Sequence, residues 1–327
     1  TTAAVYKRTS KVSATCVINF DSSKGYLVGT ENRGLNCMFT FMNTARIGTG
    51  LEGLSASEAA FQGALAYAKD RLQFRAMTGV KNPDGPADPI INHPDVRRML
   101  LTQKAFAEGN RALAIYAMKL VDISQANQDE AAKQLAESKL ALLTPIVKAF
   151  LTETAQETTS YGMQVFGGHG FIKEWGMEQL ARDTRICTMY EGTTGIQAID
   201  LLARKVVGSN GKLLDVFTNE VKEYCKSIRD KTQFNAWSNS IDKHVHEWHQ
   251  ITEDIMQRAA KNPAELGAAS VDYLMYSGYV VVGYFWLQMA VVAQQKLDEG
   301  TNDPEFYKAK LHTAKFYFDR LLTRTRS

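Results

Sequence analysis

Leu51-Glu52-Gly53-Leu54-Ser55-Ala56-Ser57-Glu58-Ala59-Ala60-Phe61-Gln62-Gly63-Ala64 opens a long amphipathic segment that runs on to Met77, and its reading decides the fold class. Gly53, Ala56, Ala59, Ala60, Gly63 and Ala64 put small side chains at close intervals, so a second helix can pack tightly against the face they form. The helical pattern begins near Asn36. A proline-bearing loop from Gly79 to Pro94 interrupts it, after which helices are expected from Asp95 to Ser124 and from Gln128 to about Met163. Three long helices with short turns predict an antiparallel bundle. A further helix is expected from Thr194, where Thr194-Gly195-Ile196-Gln197 fits a capping box, to Val207. Gly208-Ser209-Asn210-Gly211 reads as a linker, and Lys212 to Arg326 is again helical.

Ahead of the bundle, Ala14 to Phe20 and Gly25 to Gly29 are short β-type runs around the turn-like insert Asp21-Ser22-Ser23-Lys24. An isolated hairpin is marginal in water, so these runs are expected to belong to a larger sheet. The expected organisation is the end of an incomplete β domain over residues 1–31, a helical bundle over 32–207, and an extra helical domain over 208–327. The fold class is mainly α, an antiparallel four-helix bundle with a helical extension and a short β remnant.

The composition is that of a folded chain: 327 residues, 45% hydrophobic, with 38 basic against 35 acidic side chains. So even a balance gives no reason to expect nucleic acid. Cys16, Cys37, Cys187 and Cys225 are widely spaced and form no C-x-x-C pair, which argues against a zinc site or a disulfide framework and fits a reducing cytoplasm. Thr1-Thr2-Ala3-Ala4 carries no initiator methionine, apolar signal core or arginine-rich leader and reads as a cut end. Leu274 to Ala293 has the length and apolarity of a membrane span, but Ser277 and Gln288 within it and polar helices around it predict a buried helix. His244, His246 and His249 do not share one helical face, so no metal site is expected. The aromatic run Tyr279 to Trp286 is read as core.

Glycine, aromatic and charged residues are densest between Gln164 and Gln197. Gly167-Gly168-His169-Gly170 can bring backbone against a ligand or make a plain turn, and spacing alone leaves both open. Glu191, between Tyr190 and Gly192 and three residues before the expected cap, can project a carboxylate from a turn beside free amide hydrogens. A lone loop glutamate is also commonly solvated and idle, so the residues by themselves do not choose.

Gln164-Val165-Phe166-Gly167-Gly168-His169-Gly170-Phe171, then Ala181-Arg182-Asp183-Thr184-Arg185, then Tyr190-Glu191-Gly192-Thr193 resemble consecutive motifs of the acyl-CoA dehydrogenase family in order and spacing. Arg46 after Met42-Asn43-Thr44-Ala45, and Arg71-Leu72-Gln73-Phe74, fall where that family has substrate-side and flavin-side arginines. The resemblance covers about residues 10 to 207. His93 to Leu100 and Ala268 to Leu274 resemble the subgroup with an extra carboxy-terminal helical domain, of the 3-methylmercaptopropionyl-CoA dehydrogenase type.

The resemblance implies FAD-dependent α,β-dehydrogenation of an acyl-CoA thioester to a trans-2-enoyl-CoA, with Glu191 removing the α-proton. Relatives that carry the base one residue before the arginine have no counterpart here, because that position is Ala45. Arg46, Tyr190 and Gly192 are then expected beside substrate. Arg71, Gln73 and Phe74 would meet the pyrophosphate and adenine half of a flavin held by a neighbouring subunit, with Gln164 and Gly168 on the same side, while Thr193 would contact the flavin of its own centre. The same resemblance implies a homodimer or homotetramer and electron-transfer flavoprotein as acceptor. Two departures bear on the flavin side: Arg75 stands where glycine is common, and Gly195 where glutamine is. The family's amino-terminal helical domain and most of its middle β domain have no match, so the chain alone is expected to be inactive and to hold flavin poorly. The rival readings are a non-catalytic helical assembly module and a related acyl-CoA oxidase or flavin monooxygenase.

Overall fold

The computed structural model describes residues 3–5 and 15–326. Strand β1 (Ala3–Val5) pairs antiparallel with β2 (Thr15–Val17), Ala4 opposite Cys16. The second run expected from sequence, Gly25 to Gly29, forms no strand. Its Tyr26, Leu27 and Val28 are exposed, and the pairing partner of β2 lies before it in the chain rather than after the turn. Ala14, at the start of the first run, lies outside the described residues.

Three long helices build the bundle: α1 (Gly34–Asp70), α2 (Pro94–Ala126) and α3 (Glu130–Phe166). Asp129 caps α3 by accepting from the Ala131 amide at 2.9 Å. The small-residue face of α1 does what its composition predicts, with one exception. A side chain on Gly53 would come within 3.1 Å of the Leu151 carbonyl oxygen of α3, and Ala60, Ala64 and Ala68 are fully buried, whereas Ala59 faces solvent. Helix α1 stops at Asp70, seven residues before Met77, because the backbone from Arg71 onward pairs elsewhere. Ile90 N donates to Arg71 O at 2.8 Å and Gln73 N to Asp88 O at 3.0 Å.

A turn of helix, α4 (Gly168–Phe171), follows α3, and the fourth side of the bundle is then filled in two pieces. These are α5 (Met177–Cys187) and α6 (Thr194–Ile199), the latter continuing as a π-helical stretch, Asp200–Val207. Thr193, not Thr194, caps α6, its hydroxyl accepting from Ile196 N at 3.3 Å. The capping box does not close: Gln197 turns its amide to the carbonyls of Glu191 and Gly192 at 3.0 and 3.5 Å.

The extension is helical throughout, as α7 (Lys212–Ser227), α8 (Asn235–Ala259), α9 (Ala264–Asp298) and α10 (Pro304–Phe316), with Tyr317–Arg326 closing the described chain in tighter and wider turns. Helix α9 is long and apolar enough to cross a membrane, yet Leu274, Val281, Trp286 and Leu287 on it are wholly enclosed by protein. It lies against the bundle closely enough that a side chain on Gly278 would enter the Phe150 ring of α3. Trp286 donates its indole N–H to Ala105 O of α2 at 3.1 Å. One hydrophobic core therefore runs from Ile47 to Leu322, across the expected boundary at 207. Each large apolar side chain in it contributes on the order of 2 kcal/mol. His244 and His249 go to separate partners, Thr325 Oγ1 at 3.0 Å and Thr218 Oγ1 at 2.9 Å. Among the described residues no three ligating groups converge.

Candidate functional site

Two polar regions stand out on the bundle, at different levels of α1 and α3. The first is a groove of about 490 Å³ where both helices end. It gathers Arg71, Gln73 and Phe74 from the loop after α1 and Gln164, Gly167, Gly168 and His169 from the end of α3. Sequence reading placed five of these residues together, and the structure brings them to one surface. The side chains of Arg71, Gln73 and Gln164 are exposed and make no hydrogen bond with other described residues. A side chain built on Gly167 or Gly168 would meet nothing, so backbone is open to close approach there. The floor is aromatic: Tyr67 stacks on Phe166 with centroids 4.2 Å apart and shares a 3.0 Å hydrogen bond with His169 Nδ1, and His169 stacks on Trp175.

Asp88 builds the loop that presents Arg71 to Phe74. Its carboxylate is fully buried and accepts from the amides of Ala76, Lys81 and Asn82 at 2.7, 2.9 and 2.7 Å. Those amides, with the Arg75 guanidinium, outweigh burial and pull the carboxyl down to about 2. Phe74 sits at φ 55°, a left-handed conformation that other residues must hold in place. Arg75 explains itself here. Its guanidinium donates to Asn82 O at 2.7 Å and Gly85 O at 2.5 Å, so it ties the loop rather than lining the groove.

The second region, the crevice, is a polar cluster where α1, α3, α5 and the turn before α6 meet. Glu191 occupies that turn at φ 55°, followed by Gly192 at φ 91°. A β-carbon on Gly192 would also strike the Gln197 amide, so glycine is required on two grounds. Glu191 is half-buried, and neither its carboxylate nor its own amide hydrogen has a partner among the described residues. The turn is moored on both sides. Thr194 Oγ1 donates to Glu153 Oε1 of α3 at 2.5 Å, and the Tyr190 hydroxyl donates to Glu52 of α1. Cys187 reaches the same Glu52 oxygen at 3.5 Å. Burial first, and the Glu52 carboxylate second, push the Tyr190 phenol upward, while burial pushes the Cys187 thiol up to about 11.

Arg46 is expected at a substrate surface but is only 7% exposed, and its Nη1 donates to Asp200 Oδ2 at 3.1 Å. The π-helical stretch begins at Asp200 and carries this carboxylate inward. Thr193, expected beside flavin, has its hydroxyl on the α6 cap. Sequence reading missed Glu52, Glu153, Asp200 and Lys148, and took Gln197 for part of a capping box rather than a brace for the Glu191 turn. Lys148 did leave a signal, a lysine inside the apolar run Leu142-Leu143-Thr144-Pro145-Ile146-Val147-Lys148-Ala149-Phe150-Leu151. Chemically, Glu191 offers a carboxylate and a backbone N–H that have no partner among the described residues, one able to take a proton and the other to bind an oxygen.

The three-helix core, broken fourth side and glycine-turned carboxylate loop define a helical bundle of acyl-CoA dehydrogenase type. The family model for the acyl-CoA dehydrogenase C-terminal domain matches residues 32–206, and an acetyl-CoA dehydrogenase C-terminal-like model matches 217–327. The chain belongs to the acyl-CoA dehydrogenase family. It is 39% identical over 316 residues to 3-methylmercaptopropionyl-CoA dehydrogenase of Ruegeria pomeroyi, an alignment covering 95% of this chain and 52% of that relative. The chain spans about half the length of such curated relatives. In fold it is similar to Caenorhabditis elegans ACDH-11, solved with C11-CoA, at a TM-score of 0.71, 17% identity and coverage of 89% of this chain and 44% of that one. It is likewise similar to a Bacillus anthracis acyl-CoA dehydrogenase solved with FAD, at 0.66, 16% identity, 90% and 49%.

Proposed function

We propose that the whole protein carries out FAD-dependent α,β-dehydrogenation of an acyl-CoA thioester, with Glu191 as the base that takes the α-proton. The observation that carries this reading is the Glu191 carboxylate, projected from a left-handed turn that Gly192 and Gln197 hold in place, with no hydrogen-bond donor among the described residues. A carboxylate so held accepts a proton more readily once an acyl chain covers it, because excluding water weakens its solvation. The free Glu191 amide is suited to hold the thioester oxygen as charge builds on it. Tyr190 fixes the turn through Glu52, and Gly192 leaves room beside the carboxylate.

The groove fits the anionic, flat half of FAD. Arg71 supplies a guanidinium and Gln73 and Gln164 side-chain amides that have no partner among the described residues, Gly168 an unobstructed backbone, and Phe74 an exposed ring. When bound, FAD supplies the acceptor for the β-hydride. Eleven residues of α3, about 17 Å at a helical rise of 1.5 Å, separate Glu153, which holds the Glu191 turn through Thr194, from Gln164 in the groove. That separation supports a homodimer or homotetramer in which the groove of one chain serves the flavin of another. It also favours a division of labour in which 32–207 carries the site and 208–327 supports it. Electron-transfer flavoprotein is the acceptor this reading implies, and the cytoplasm the compartment.

The test is Glu191→Gln in the full-length, FAD-loaded protein, with acyl-CoA reduction of the flavin followed by its bleaching. A base predicts loss of bleaching with FAD content unchanged. Bleaching at the wild-type rate overturns the reading and leaves the assembly module standing.

A further inference from the structure

We infer that His169 is a further cofactor-binding residue of the groove, presenting its Nε2–H to the pyrophosphate oxygens of the flavin nucleotide while Tyr67 holds its Nδ1. This rests on the groove receiving the anionic half of FAD. The local backbone is built to set His169 in one place. Gly167, at φ 60° and ψ −136°, adopts a conformation that only glycine holds without strain, and it turns the chain out of α3. A side chain on Gly170 would strike the Met163 carbonyl of α3, so the turn closes tightly on the end of that helix. Between these glycines His169 lines the groove beside Tyr67, Arg71 and Gln164. Its ring lies on Trp175, with centroids 4.6 Å apart and planes 9° from parallel. Tyr67, itself stacked on Phe166 at 4.2 Å, shares a 3.0 Å hydrogen bond with Nδ1. The indole fixes the plane of the imidazole and the phenol fixes its rotation within that plane, which leaves Nε2 as the open polar edge.

The chemistry of that edge follows from the partner on the other one. A tyrosine hydroxyl both donates and accepts. It donates to Nδ1 of the neutral imidazole that carries its hydrogen on Nε2, and it accepts from Nδ1–H of the imidazolium. In both forms Nε2–H is a donor, and it has no acceptor among the described residues. An anion at Nε2 favours these two forms over the remaining tautomer, and the hydroxyl satisfies Nδ1 in either. His93, the other imidazole lining the groove, is different, because its Nε2 is committed inside the chain, 2.8 Å from Gln73 O. Asp95, the one carboxylate among the described lining residues, accepts from Arg98 Nε at 2.8 Å, so its charge is already met. A donor beside the Arg71 guanidinium is matched to phosphate oxygens, whose hydrogen bonds are the stronger for their charge. The uncharged adenine needs a ring face instead. Phe74 offers one, whereas one face of His169 is taken by Trp175.

The test compares three replacements in the full-length apoprotein, with FAD affinity read by fluorescence titration. His169→Phe keeps a ring to lie on Trp175 but has no donor, and FAD should bind about tenfold more weakly. His169→Gln sets an amide N–H near the Nε2 position and should stay within about threefold of wild type. His169→Asn places its amide nearer the Nδ1 position and should lose as much as His169→Phe. Wild-type affinity in His169→Phe, or equal loss in all three, makes the residue a packing element and overturns the proposal. Tyr67→Phe, which keeps the stack on Phe166, should weaken FAD about threefold, and no change there counts against an imidazole held by the phenol. ADP should displace FAD better than adenosine does, and His169→Phe should narrow that difference. A difference left as wide overturns the assignment to phosphate. Arg71→Ala separates this inference from the reading beneath it. Unchanged FAD affinity in both Arg71→Ala and His169→Phe means that flavin does not bind in the groove, whereas loss in Arg71→Ala with none in His169→Phe defeats only the role of His169.

Discussion

The crevice and the groove are both built from α1, α3 and the segments that follow them, but they treat charge in opposite ways. In the crevice Arg46, Glu52, Glu153 and Asp200 are each engaged by other groups of the chain, as Arg46 is by Asp200 and Glu52 by Tyr190. In the groove the side chains of Arg71, Gln73 and Gln164 stand in solvent without partners among the described residues. A region that handles a proton needs its electrostatics fixed before the ligand comes. One that receives an anionic cofactor needs its donors free, since a donor already paired inside the protein gains little from a ligand.

Five measurements can break or sharpen that contrast. The largest expected effect is that of Glu191→Gln, which should lower flavin-reduction rate by about 10³-fold in stopped-flow measurements. Arg46→Ala should come next, as a stability effect: removing it leaves Asp200 enclosed with only the more distant Arg204, at a cost of about 3 kcal/mol in urea unfolding. A loss below about 1 kcal/mol would mean that Arg46 is not committed internally and is free for substrate. Arg71→Ala should do the reverse, weakening FAD affinity of the full-length protein by about tenfold in a fluorescence titration while leaving unfolding unchanged. Thr193→Ala should cost about 1 kcal/mol of stability through the lost α6 cap. If it instead alters flavin absorbance without changing stability, the hydroxyl serves the cofactor.

The smallest effect is confined to the groove loop. Asp88 is held at about 2 against an ordinary value of 3.8, so its contribution is complete above about pH 4 and is lost as pH falls through 2. Amide exchange at Ala76, Lys81 and Asn82 should accelerate over that interval. Exchange that stays slow below pH 2 would show that the loop does not depend on the carboxylate.

Much of this was legible in the residues, and the rest failed for identifiable reasons. Helix α2 falls within two residues of its expected span because Pro94 and Asp95 mark its start locally. The end of α1 could not be read, since Lys69 to Met77 is itself good helix sequence and the segment is drawn off by pairing with Asp88 to Ile90. The choice of Thr193 over Thr194 as cap turns on backbone angles that Gly192 sets, and adjacent threonines look alike in sequence. The groove residues were named through family resemblance and do converge. The polar support of the Glu191 turn was invisible because Glu52 and Glu153 come from α1 and α3, far from the turn in sequence, and only packing brings them to Tyr190 and Thr194.

Tyr317, Leu321 and Leu322 are 0–1% exposed and pack into the same core as α9, with the Tyr317 hydroxyl on Tyr279 O at 2.8 Å. Cutting these three side chains back to alanine would strip the cover from one side of the most aromatic helix, so the closing turns act as a lid on α9.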